Sequence, residues 1–144
     1  MPGTNPLWGV QCVSVSSCVA VGTNSVDGLG VVVPVTNGDP GSVTTVNGTH
    51  SLQGVACESA DSCLAVGLNI PGYKPVGILA PVGTAVWSDN VGTVQSVQGT
   101  SILSGVACGS TTSCEAVGTH GSKGVVLQIS LGVIYQLGQR IFTL

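Results

Sequence analysis

The chain has 144 residues, enough for one domain, with three Lys plus Arg, six Asp plus Glu and a formal net charge of −3. Nucleic-acid binding relies on clustered cations, and so sparse a cationic content excludes that class. Val, Gly, Ser and Thr dominate, with 22 Gly, which is a composition of strands and tight turns; the longest apolar run near Gly30 is Val31-Val32-Val33, far below the roughly 20 residues that a membrane helix needs.

The opening MPGTNPLWGV has neither a basic start nor an apolar h-region, so no signal peptide is read there. Leu7-Trp8-Gly9-Val10-Gln11-Cys12 predicts a first strand, and a Ser-rich turn leads to a second at Cys18-Val19-Ala20-Val21-Gly22. A third follows at GVVVPV (residues 30–35), then the turn Thr36-Asn37-Gly38-Asp39-Pro40-Gly41 and a fourth strand at SVTTV (residues 42–46). The same sentence then begins again. Leu52-Gln53-Gly54-Val55-Ala56-Cys57 repeats the first strand, GILAPV (residues 77–82) the third, and GTVQSV from Gly92 the fourth. Leu103-Ser104-Gly105-Val106-Ala107-Cys108, GVVLQI (residues 124–129) and a worn GVIYQL at Gly132 make the last copy. A period of about 45 to 50 residues marks a repeat architecture. The expected organisation is a single repeat domain over 1–144, with units 7–51, 52–102 and 103–144.

Each unit carries a C-x5-C pair at its first hairpin. Directly opposed residues of adjacent antiparallel strands lie within disulfide reach, so Cys12 pairs with Cys18, Cys57 with Cys63, and Cys108 with Cys114. Each clip is worth about 2 kcal/mol on the chain-entropy model. Paired cysteines in a small chain point to an oxidising compartment, so a secreted or extracellular protein is expected. Zinc sites space their cysteines more closely and need four ligands, while the two histidines, His50 and His120, fall in loops; no metal and no cofactor is expected.

The unit LxGVxC, SCxAVG, GVVVPV, TNGDPGSV resembles the blade repeat of bacterial secreted β-propellers, the group that includes photosystem II assembly-factor-like and sialidase-like Asp-box repeats. The resemblance implies an all-β fold of three four-stranded propeller blades. Propellers close with about four to eight blades, so the chain is expected to be half of a six-bladed ring completed by homodimerisation. The alternative is a β-trefoil, which also uses three four-stranded units and needs no partner.

A sialidase-like reaction would, by the family pattern, need several arginines; the chain has one, Arg140, so no enzymatic activity is expected. Serines crowd turns such as residues 14–17, where a structural role suffices. If the first strand of each unit runs from top to bottom, Asp39, Glu58, Asp61, Asp89 and Glu115 lie at the bottom. Asp27, His50, Tyr73, Lys74, His120, Lys123 and Arg140 then lie at the top, with Trp8 near the top of the first strand and Trp87 in the insertion of the second unit. The candidate binding face is the top. There Trp8 and Tyr73 offer stacking surfaces, while His50, Lys74, His120 and Lys123 offer donors to a sugar or small anion. The expected function is a non-enzymatic binding or scaffolding module, with lectin-like carbohydrate binding as its most concrete form. The alternative is a purely structural surface or filament component, or a propeller fragment without a ligand.

Overall fold

Runs such as Cys63-Leu64-Ala65-Val66 are apolar on both sides of the pleat, and such a strand must be covered on both faces. The computed structural model, which describes residues 3–59, 62–82, 94–110, 113–131 and 137–143, meets that demand by stacking antiparallel sheets. The first sheet contains β1 (Thr4–Ser14), β2 (Ser17–Asn24), β3 (Gly30–Thr36), β4 (Asp39–Pro40) and β5 (Thr44–Val46). The second contains β6 (Ser51–Ser59), β7 (Ser62–Asn69), β8 (Val76–Val82) and β9 (Gln95–Val97). The third contains β10 (Ile102–Ser110), β11 (Ser113–His120), β12 (Lys123–Leu131) and β13 (Leu137–Thr143).

Among the described residues no ladder joins one sheet to another. The inter-unit strand pairing that a trefoil barrel needs is not found among these residues. The first strands begin at Thr4, Ser51 and Ile102, slightly ahead of the expected unit starts. Two fourth strands also differ from expectation. In the first unit, Asn37 (φ 54°) and Gly38 (φ 86°) form a tight hairpin turn that pairs β4 with the end of β3; the chain then breaks away before β5 rejoins β3 at Gly30–Val32. In the third unit the described fourth strand is Leu137–Thr143; residues 132–136 of the GVIYQL segment lie outside the described residues. Turns at Gly48 (φ 80°) and Gly99 (φ 82°) end β5 and β9 after three residues each; β13 pairs with β12 along seven.

Each sheet has a front, on the side of the preceding unit, and a back, on the side of the next. Val19, Val21, Val32 and Val46 on the back of the first sheet pack against Leu52, Val55, Cys63, Ala65, Ile78 and Ala80 on the front of the second. Leu64, Val66, Leu79 and Val97 on the back of the second pack against Leu103, Cys114, Ala116, Leu127 and Ile129 on the front of the third. The two joins are the same contact made twice.

The first strands β1, β6 and β10 lie against one another at the inner edge of this stack. Their recurring glycine is explained there. A Cβ on Gly9 would stand 3.0 Å from the Gln53 carbonyl oxygen and 3.1 Å from Gly54 Cα, and one on Gly54 would stand 3.1 Å from Gly105 Cα. Backbone meets backbone at these points, which only glycine permits.

The recurring threonine of the inter-unit turn has an equally local cause. Thr49 is buried, and its hydroxyl donates to the Val46 carbonyl (2.6 Å) while accepting from the Gly30 N–H (3.0 Å). Thr100 donates in the same way to Val97 (2.7 Å). One side chain thus ties the outer strand, the third strand and the start of the next unit together. All three predicted disulfides are present, each joining directly opposed residues near the hairpin tip.

Candidate functional site

The antiparallel order of each sheet sends its connections to two opposite ends. At one end, the β1–β2 and β3–β4 turns meet, with the Asn37 N–H donating to the Ser16 carbonyl (2.8 Å). Here Ser14 and Ser16 are spent on their own turn, their hydroxyls 3.3 Å apart and the Ser16 N–H donating to Ser14 Oγ (3.2 Å). At the other end, the β2–β3, β7–β8 and β11–β12 loops gather with the turns that link the units. This second end is the candidate site.

Its frame is a chain of bonds from sheet to sheet. Asn24 folds the first loop, accepting from the Val26 N–H (2.8 Å) through its side chain and donating to the Leu29 carbonyl (2.7 Å) through its backbone. His50 is exposed; its backbone N–H donates to Leu68 of the second sheet (2.8 Å), and its ring lies 3.8 Å from where a Cβ on Gly28 would stand. At the next junction, the Ser101 N–H donates to the Thr119 carbonyl (2.6 Å) and the Gly121 N–H donates to Ser101 Oγ (3.1 Å).

On this frame the three loops differ in shape. The third is a two-residue hairpin that sets exposed His120 opposite exposed Lys123. The second is a protruding turn, Pro71–Tyr73, in which both Gly72 (φ 59°) and Tyr73 (φ 68°) are left-handed. Tyr73 is 98 % exposed and Lys74 beside it is exposed as well. A bulky residue held in the left-handed region carries backbone strain of order 1–3 kcal/mol, here with no burial of the ring in return.

Five of the six candidate ligand residues, His50, Tyr73, Lys74, His120 and Lys123, therefore stand at this one end. Trp8 stands apart from them. It is the extra residue of a β-bulge between the pairs Leu7↔Gly22 and Gly9↔Val21, on the inner strand and 56 % exposed. Arg140 is also displaced from its expected place, because β13 sets it opposite Gln128 in mid-strand. A fourth strand at GVIYQL leaves Arg140 beyond its end and at the rim, whereas Leu137–Thr143 carries it in mid-strand. The segregation of charge is retained for Lys74 and Lys123 at the rim, against Asp39, Glu58 and Glu115 toward the opposite end. Asp61, Trp87 and Asp89 lie outside the described residues.

The cysteines contribute no chemistry of their own. All six thiols are consumed in disulfides, which leaves none as metal ligand or redox nucleophile. Among the described residues no three His, Cys, Asp or Glu side chains group as a metal site, and no helix is long and apolar enough to cross a membrane. Neither protein-family models nor curated protein sequences match the chain.

Proposed function

We propose that the chain is a non-enzymatic binding and scaffolding module, half of a six-bladed β-propeller that completes its ring by pairing with a second copy of itself. The observation that carries this reading is the front-to-back stacking of three like sheets through one contact used twice. Propeller rings hold about four to eight blades. Three sheets stop short of that number, and two chains supply six. The disulfides in every unit, typical of extracellular proteins, support a secreted setting.

Within this reading the loop rim is the binding face, and its ligand is a carbohydrate or small anion. Supporting that choice are the solvent-facing ring of Tyr73, a stacking surface for a sugar, and the exposed Lys74, His120 and Lys123 as donors.

Light scattering on the full chain over a wide concentration range tests the assembly, with twice the chain mass as the expected result. A monomer mass throughout would sink the ring. A glycan array then tests the rim: dose-dependent hits lost in Tyr73→Ala and Lys74→Ala support lectin-like binding, whereas a silent array leaves only the scaffold.

A further inference from the structure

The three repeats differ in which interfacial positions remain open. On the inner strands, Leu52 and Val55 of β6 are buried under the first sheet, and Leu103 of β10 is buried under the second. Their counterparts on β1, Leu7 and Val10, are 41 % and 65 % exposed. On the backs of the sheets, Val21 with Val32, and Val66 with Leu79, are buried by the following unit. Their counterpart Val117 is 51 % exposed, and Val126 beside it is half-buried.

The glycines tell the same story. A Cβ on Gly30 would meet Thr49 and Leu52, and one on Gly77 would meet Thr100 and Leu103. The matching Gly124 has nothing within 4 Å, and Gly105, which matches Gly9 and Gly54, has only Val117 Cγ2 at 3.4 Å. The back of the third sheet thus keeps the small and branched residues that elsewhere receive an inner strand. Among the described residues it receives none.

We infer that this back face, Gly105, Val117, Gly124 and Val126, is the docking surface for β1 of a second copy, with Leu7 and Val10 taking the places that Leu52 with Val55, and Leu103 with Val106, take inside the chain. This rests on the self-assembly reading above and specifies its mode as head-to-tail. The occupant is a second copy because β1 carries the one copy of the Leu-x-Gly-Val strand whose apolar side chains are left open. Contact falls on β1 itself, since Ala20, Val31 and Val33 further out on the same front are already buried. One feature opposes the docking. Glu115 and Gln128 stand exposed where the first sheet has Val19 and Pro34 and the second has Leu64 and Pro81, so the intermolecular join is weaker than the internal ones.

The test uses two variants of the full chain, Leu7→Asp and Val117→Asp, both at partly exposed positions, followed by sedimentation equilibrium alone and mixed. Head-to-tail docking predicts that each variant alone associates at least about tenfold more weakly than the parent chain. Mixed one to one, they form a heterodimer through the single intact join, Leu7 of one variant on Val117 of the other. Glu115→Leu, which restores the apolar residue of the other repeats, is expected to tighten association about tenfold. If either Asp variant assembles like the parent chain, or the mixture stays monomeric, or Glu115→Leu leaves association unchanged, this interface is wrong while self-assembly stands. A parent chain that is monomeric throughout overturns both.

Discussion

Leu52 and Leu7 hold the same place in consecutive repeats, three residues ahead of the same valine and five ahead of the same disulfide. Leu52 has no exposed surface and Leu7 keeps 41 % of its own. The difference lies in what stands in front of each: the first sheet covers Leu52, and among the described residues no sheet covers Leu7. A repeat of this kind therefore carries its folding information in pairs, a knob on one unit and a socket on the one before. The largest expected effect follows from removing the same knob in the two places. Leu52→Ala should cost about 2–5 kcal/mol of unfolding free energy, the range for a fully buried leucine. Leu7→Ala should cost under about 1 kcal/mol in dilute solution, as befits a partly exposed site. Urea unfolding of both variants decides it, and equal losses would show that the covered and the open leucine are not energetically distinct.

Covered and open repeats differ in backbone contact as well. Gly54→Ala forces a methyl against Gly105 Cα and the Ser104 carbonyl, at 3.1 and 3.2 Å, and neither can move without separating two sheets. A loss of about 1–3 kcal/mol is expected. Gly105→Ala meets one valine methyl at 3.4 Å, which can yield by a small rotation, so its change should stay within about 0.5 kcal/mol when measured below the concentration of self-association. Thermal melts of the two variants side by side would separate them by several degrees. A Gly105→Ala melt as low as that of Gly54→Ala would mean that the third back face is covered in the monomer.

The repeat made most of this fold legible from sequence. Gly-Val and Ala-Val-Gly spacing placed the first three strands of every unit, and C-x5-C placed the disulfides, because these depend on residues close in the chain. The fourth strands were less legible. Their extent is set by pairing with β3, β8 and β12 and, in the first two units, by where a left-handed turn interrupts them, so the apolar GVIYQL does not by itself announce the strand at Leu137–Thr143. At the rim, loop position was legible from alternation of strands and turns, whereas the bulge at Trp8 was not: it depends on the register between β1 and β2, which no single strand records.

The smallest expected effect lies at Tyr73, and its sign is what matters. The core residues of the two joins are buried, whereas Tyr73 is held at φ 68° with 98 % of its surface in water. Replacing it with glycine removes a side chain that contributes no burial and relieves a conformation that glycine adopts freely, at the cost of extra freedom in the unfolded chain. The balance predicts that Tyr73→Gly is neutral or stabilises by up to about 1 kcal/mol, the opposite of the loss expected for Gly54→Ala. An unfolding free energy lowered by more than about 1 kcal/mol would place the ring in a packing role and remove it from the rim's recognition surface. A neutral or stabilising change, with loss of any glycan-array signal, would mean that strain at this loop is kept for what the ring contacts outside the molecule.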